Sequence, residues 1–584
     1  MSDQTTEPSA AQATGAAAPS WDKTVDVLVV GSGNGALTSA LCSYEMGVKD
    51  VLVIEKEAMF GGCSAISGGG VWIPCNRYAN EAGANDTLEE AKAYLASVIP
   101  EGKVPDHLLD TYLDNGWKMV DFLHNHTRVR YESLEHYPDY YSDAPGARHG
   151  HRSMEPAKIK LSDLGDQWDK LRNTHHMMWL FNRVAYNQVE AGTLAARAPG
   201  WIQLVIKLLV QYAIDIPWFF KSSRSRLVAC GMAGIARLRL SMQDREMPLW
   251  LNTELKELIS DDAGKVIGAV IERDGKTLRV ATRKGIVLAC GGFEHNQEMR
   301  EQYLPQPTNS KWSAGHFGNT GDGIRMGEKI GADLQMMDGA WWCATIMVPD
   351  EERPRLSIME KSMPGNVLVN PAGKRIANES ENYMAYQTNW HASHTQENPS
   401  TPAYLVFDNR FRNSYLVGPI VGNLMPDWTL PKKWFDEDFL YKADTLEDLA
   451  QQTGIDPAGL TDTVSKMNQY AVSGVDDEFG RGSYEYDRYY GDQSITPNPC
   501  LAAIDQAPFY AMKQDPGDFG THGGLAFNGN AQVLRPDGSV IEGLYACGNT
   551  ARAILPNYPG PGATLGPAMT FAYQAAKHIA GFKD

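Results

Sequence analysis

Apolar residues in this chain come in short blocks closed by glycine. The run Val25–Val30, apolar but for Asp26, ends at Gly31 and passes into "GSGNGALTSALCSYEMG". That order predicts a buried parallel strand, a glycine turn and a helix. "DVLVIEKE" predicts the next strand, and residues 105–125 predict a helix. The polar, His- and Tyr-rich stretch 126–156 reads as a loop. From 247 to 295, β-like runs such as "GKVIGAVIERDGKTLRVATRKGIVLACGGF" are separated by Asp-Gly turns. Residues 310–510 mix short strands and helices, as a separate lobe would. "GSVIEGLYACGNT" near the end returns to strand and glycine. The two chain ends therefore predict one discontinuous domain with another inserted in it.

One block breaks this rhythm. "WIQLVIKLLVQYAIDIPWFF", 201–220, places Gln203, Lys207, Gln211 and Asp215 four residues apart. On a helix they form one narrow polar stripe. Two ionisable groups and Pro217 make a poor membrane span. The block reads either as a buried core helix or as a helix lying in a membrane surface or over a lipid-sized pocket. Trp201, Trp218, Phe219 and Phe220, with Lys221, Arg224 and Arg226 nearby, suit an interfacial anchor.

The 584 residues exceed one ordinary core, so several domains are expected. A net charge of −18 argues against nucleic acid and against broad attraction to anionic lipid. The eight cysteines show no CxxC spacing, which fits a reducing cytoplasm better than a disulfide or zinc framework. The first 20 residues, rich in Ala, Ser, Thr, Pro and Gln, read as a disordered tail ending by residue 22.

Gly31-Ser32-Gly33-Asn34-Gly35-Ala36 sits at the strand–helix junction. The first glycine permits the turn, the second lets backbone approach a pyrophosphate, and Ala36 allows close helix–strand packing. The helix start offers free N–H groups to phosphate. Glu55 ends the second strand, where an acid can accept a ribose hydroxyl. Three further glycine-bearing stretches follow: "GGCSAISGGG" (61–70), "VLACGGFEHN" (287–296) and "GLYACGN" (543–549). So many backbone approaches favour a long flavin dinucleotide, FAD, over a nicotinamide cofactor.

These motifs, in this order, resemble the succinate dehydrogenase/fumarate reductase flavoprotein superfamily. "GGCSAISGGGVWIPCN", "YPDYYSDAPG", "GGFEHNQEMR", "NPAGKRIANESENY", "YDRYYGD" and "YPGPGATLGPAM" are similar to those of the 3-ketosteroid Δ1-dehydrogenases, over about residues 25–580. The resemblance implies an α/β fold: a Rossmann-like FAD-binding domain (23–308 and 512–584, with an apolar helical insertion about 196–235) and an inserted α+β substrate-capping domain (309–511). It implies FAD contacts at Gly31, Ser32, Gly33, Gly35, Ala36, Glu55, Lys56, Gly62, Cys63, Ser64, Ser67, Gly68 and Gly69. Further contacts are implied at Leu255, Ala289, Gly291, Asp322, Gly548, Asn549, Gly562, Thr564 and Leu565. No histidine lies in "GGCSAISGGG", where some relatives attach flavin, so noncovalent FAD is expected.

Desaturation beside a ketone removes an α proton and a β hydride. The proton becomes removable when the carbonyl oxygen is stabilised by two donors, as in an oxyanion hole. In "NYPGPGATLGPAMTF", Tyr558 can supply an O–H and Gly562 an unobstructed backbone N–H; the family uses this pair on the steroid 3-keto oxygen. Tyr383, ending "ANESENY", matches the family's catalytic tyrosine. A phenol with a pKa near 10 needs help to act as a base. Tyr140 in "YPDYY" matches the assisting tyrosine, with Tyr141 adjacent and not distinguished from it.

Dicarboxylate reductases need converging arginines. Arg552 is nearby, but no arginine follows Asn557, which fits a neutral apolar substrate. "HNHT", "HGH" and "THH" lack acid or cysteine partners at ligand spacing and read as solvated loops, so no metal is expected. "TGDG", 320–323, reads as a turn near the flavin. The expected activity is 1,2-desaturation of 3-ketosteroids, including sterol-derived ones with a side chain, with an external, quinone-like or other, electron acceptor. The alternatives are a Δ4-(5α)-dehydrogenase and a fumarate-reductase-like flavoprotein. A cytoplasmic protein is expected, with peripheral contact to the inner membrane face through 201–220.

Overall fold

The structure, a computed structural model, describes residues 20–195 and 198–583. The tail expected over residues 1–22 lies, through residue 19, outside the described residues. Its last positions are ordered: the Asp22 N–H donates to Arg279 O at 2.9 Å.

Strands Lys23–Val30, Val51–Ile54 and Leu249–Trp250 run parallel. Lys23–Val30 also pairs in parallel with Lys276–Leu288, which pairs in parallel with Val540–Ala546. The far ends of the chain thus share one sheet. Val27 to Val30 are buried on both faces, which explains the near-continuous apolar run. Helices Asn34–Glu45 and Leu565–Ala580 pack together on this sheet. Strands Thr253–Ser260 and Val266–Arg273 extend it antiparallel. These are the β-like runs expected over 247–295.

A second sheet is antiparallel, in the order Asn366–Val369, Ala403–Asp408, Phe509–Gln514, Leu440–Ala443. Side chains alternate across it. Leu405 and Phe407 join a core with Tyr386 and Trp390 of the helix Tyr383–Ser393. Tyr404 and Val406 join another core under the helices Leu446–Thr453 and Pro457–Ser473.

Two local expectations are corrected. The stretch 126–156 is not merely a loop: it holds strands Tyr131–Ser133 and Ser153–Pro156, and Tyr140 is buried. The block 201–220 is neither one helix nor a core helix. It breaks into Trp201–Ala213 and Ile216–Phe219, where Asp215 turns aside to pair with Arg226 at 2.8 Å. Leu208 and Trp218 point inward, but Ile202, Ile206, Val210 and Ile214 face solvent. A 3.6-residue period locates a stripe; it cannot say which side of it finds a partner.

Candidate active site

A cavity of about 990 Å³ runs from the strand ends Val30 and Ile54 to Tyr383 and Phe519, near the top of the range of roughly 300–1,000 Å³ for small-molecule sites. One end is built of backbone. Gly31 has φ +107°, and a Cβ there would stand 2.3 Å from Ala289 O. Ser32 Oγ donates to Glu55 Oε2 at 2.5 Å and accepts the Gly61 N–H at 2.9 Å. Burial pushes the Glu55 carboxyl up, and the Ser32 hydroxyl and Glu57 N–H oppose this. The helix Asn34–Glu45 starts at Gly33 with no cap from that residue; the Asn34 N–H donates to Ser64 Oγ at 3.1 Å, and the Gly35 and Ala36 N–H groups are left for an anion. Lys56 is tied to Asp322 at 2.6 Å, joining the second strand to the helix that follows the Thr320–Gly323 turn.

Every residue named above as an FAD contact lines this cavity except Ala36. Ala36 is buried between helix and sheet, the packing role its size suggested.

The other end is aromatic. The Tyr140 hydroxyl donates to that of Tyr383 at 2.9 Å. Their rings, and that of Tyr558, lie within 5.6 Å of one another between centroids. Tyr558 sits at φ +57° and Gly562 at +104°. A Cβ on Gly562 would stand 2.4 Å from Gly70 O, so only glycine fits between the two loops. Burial raises the Tyr558 phenol, and Tyr383, Thr564 and the Gly562 N–H oppose this, which puts the two candidate donors side by side. Burial pushes all three phenols up.

Each tyrosine has its own support. Tyr383 opens its helix, capped by Asn382, whose amide also reaches Tyr140 O. Tyr140 donates its N–H to Pro559 O at 2.9 Å. Its neighbour Asp139 is held by Trp72 and Arg152, both at 2.8 Å. Burial raises the Asp139 carboxyl to about 6, with Arg152 pulling against it. Tyr141 points elsewhere, donating to Asn557 O at 2.8 Å.

Residues 26–565 match the family described as "FAD binding domain". A 3-oxosteroid 1-dehydrogenase of Mycobacterium tuberculosis (strain ATCC 25618 / H37Rv) is 39% identical over 95% of this chain and 98% of its own. A 4-oxocyclohexanecarboxylate 2-dehydrogenase of Sinomonas cyclohexanicum is 36% identical over 96% and 93%. The crystal structure of 3-ketosteroid Δ1-dehydrogenase from Sterolibacterium denitrificans, in complex with 1,4-androstadiene-3,17-dione, superimposes with a TM-score of 0.92 at 43% identity, covering 96% of this chain and all of that one. This chain belongs to the 3-oxosteroid 1-dehydrogenase family.

The glycine cradle, the uncapped helix start and the buried Glu55 fit the family's FAD. Other members of the site went unforeseen. Phe519 stands edge-on to both Tyr383 and Tyr558. Gln188 reaches from the helix Gln188–Ala195 to Gly68 O at 3.0 Å. Neither carries a motif of its own; only the folded chain brings them in. Arg552 does not line the cavity and instead bonds Gln335 and Lys103 O. The histidine readings need correction at Thr174–His176. His175 is buried against Pro354 O, and His176 pairs with Glu351 at 2.7 Å, because this segment is pressed against the cap.

Proposed function

We propose that this flavoenzyme introduces the 1,2 double bond into 3-ketosteroids. The observation that carries the reading is the meeting of Tyr140, Tyr383 and Tyr558, with Gly562 beside them at φ +104°, at one end of a cavity whose other end is a dinucleotide cradle. Tyr558 and Gly562 hold the 3-keto oxygen and bear the charge that grows on it. Tyr383 takes the C2 proton, and the Tyr140 O–H stabilises its ionised form. FAD held by Gly31, Gly33, Glu55 and Ser64 would supply the acceptor for the C1 hydride, and an external acceptor would take up the electrons.

A neutral substrate is favoured over a small keto acid. Among the described residues, the Lys and Arg side chains lining the cavity, Lys56 and Arg355, are already paired with Asp322 and Glu351. The cavity continues past Leu194, Trp201 and Val205 to Leu424 and Met425, room that suits a sterol-derived ketone with a side chain.

Peripheral contact with the inner membrane face is part of the same reading. It is supported by the outward Ile202, Ile206, Val210 and Ile214 beside the cavity, with Phe220 89% exposed and Lys207 and Lys221 also at the surface. No described helix is long and apolar enough to cross a membrane, so contact would be interfacial.

The test is anaerobic addition of 4-androstene-3,17-dione. Bleaching of the yellow absorbance with formation of the 1,4-diene, checked by mass spectrometry and NMR, is expected; no bleaching with any 3-ketosteroid sinks the reading. Sedimentation with liposomes before and after Ile206→Glu tests the membrane contact, which predicts loss of the bound fraction.

A further inference from the structure

A closed ring of contacts ties the ketone end of the cavity to its far wall. Gln188 opens the helix Gln188–Ala195, and its side-chain N–H donates to Gly68 O at 3.0 Å. A Cβ at Gly70 would stand 3.1 Å from the same Gln188 Nε2 and 3.3 Å from Pro561 O. Gly70 is in turn pressed against Gly562, whose N–H is one of the two donors proposed for the ketone oxygen. The ring closes through the strand Ser153–Pro156. Ser153 Oγ donates to Pro561 O, and Glu155 Oε2 accepts the Gln188 N–H, each at 2.8 Å.

The same helix also reaches the other way. Its first turn is fixed: the Asn187 N–H donates to Glu190 Oε2 at 3.0 Å, the Glu190 N–H donates to Asn187 Oδ1 at 2.9 Å, and Lys158 holds Glu190 at 2.6 Å. Past that turn, Ala191, Gly192 and Leu194 line the cavity. Trp201 and Val205 continue this wall from the helix Trp201–Ala213, which packs on the first. One short helix therefore carries at its start the amide that holds the 68–70 loop, and at its end part of the apolar wall on which a steroid side chain would lie. An amide is needed at the start because Gly68 also lines the cavity. A carbonyl left without a donor beside an apolar ligand is costly. Leucine would fill a similar space and leave it bare.

Resting on the steroid-desaturase reading, we infer that Gln188 is a positioning residue that couples side-chain binding to ketone activation. It seats the 68–70 loop against Gly562, and a substrate side chain lying on Leu194, Trp201 and Val205 braces the helix that holds it. Binding energy gained far from the ketone is then expressed in the transition state and not in affinity alone.

The experiment follows anaerobic flavin reduction by stopped flow in wild type, Gln188→Leu and Gln188→Glu. The two ketones are 4-androstene-3,17-dione, which has no side chain, and cholest-4-en-3-one, which has one. Flavin absorbance after gel filtration establishes that each variant is loaded. In wild type the saturating rate is expected to be higher with the side chain than without it. In Gln188→Leu the side-chain ketone should lose about three- to tenfold in saturating rate, as for one neutral hydrogen bond. The shorter ketone should lose less, and both half-saturating concentrations should stay within about twofold. Gln188→Glu keeps the shape and loses the donor, so it should behave alike. A merely structural contact would slow both ketones by the same factor or release FAD. Either result overturns the inference, as does an unchanged rate or a change confined to half-saturation, and each leaves the steroid reading standing. Should Gln188→Leu fail to fold, Gln188→Glu decides alone by the same ratio of rates. Absence of bleaching in wild type with both ketones removes the steroid reading and this inference together.

Discussion

The two ends of the cavity are built on different plans. The cradle end uses backbone: Gly31, Gly33, Gly35, Gly62, Gly68 and Gly69, with Ser32 and Glu55 locking the first turn to the second strand. The aromatic end uses side chains from three separated segments, around 140, 383 and 558, joined by hydroxyl bonds and ring contacts. The lesson is one of tolerance. A backbone site fails when any side chain is added where none fits. A side-chain site fails by losing single atoms, and each loss is graded by what that atom does.

Substitutions can break or sharpen this contrast. The largest effect is expected at Gly31→Ala. Its Cβ would meet Ala289 O at 2.3 Å, at a φ that L residues rarely adopt, so the protein should purify colourless, with FAD occupancy below about a tenth. Cofactor absorbance after gel filtration reads this directly; a fully yellow variant would contradict the cradle. Next comes Tyr383→Phe, which removes the proposed base and leaves the cradle intact. FAD should remain bound while the rate of anaerobic reduction falls about 10²–10⁴-fold. Tyr558→Phe removes one of the two donors proposed for the ketone oxygen, and turnover should drop about 10²–10³-fold with FAD retained. Smallest is Tyr141→Phe. Its hydroxyl bonds Asn557 O and not Tyr383, so turnover should stay within about twofold of wild type. A loss as large as that at Tyr383 would move the assisting role one residue along. A further control belongs to the cradle: acid precipitation should release all the yellow colour into the supernatant, as noncovalent FAD requires.

Legibility in the sequence followed the same division. The first strand, glycine turn and helix could be read from "VDVLVVGSGNG" because a phosphate cradle needs consecutive residues in fixed order. The glycine loops at 61–70, 287–296 and 543–549 were visible for the same reason, although nothing in them says that they meet. The aromatic end was legible only through family motifs. With 25 tyrosines in the chain, residue type carried no information. Phe519 and Gln188 had no signal at all, since each lies in the site through tertiary contact alone. The burial of His175 was likewise invisible, because the surface that covers it comes from Pro354.

By itself the sequence determined the discontinuous domain, the dinucleotide cradle and the family, since local order and glycine spacing are properties of the chain. Tertiary structure alone decided that Tyr140 and not Tyr141 meets Tyr383, and that half the apolar face at 201–214 looks outward. The first turns on how segments hundreds of residues apart are placed, the second on which neighbouring elements cover the helix. Adjacent loop side chains point in different directions, and a helix buries only the face that another element happens to cover.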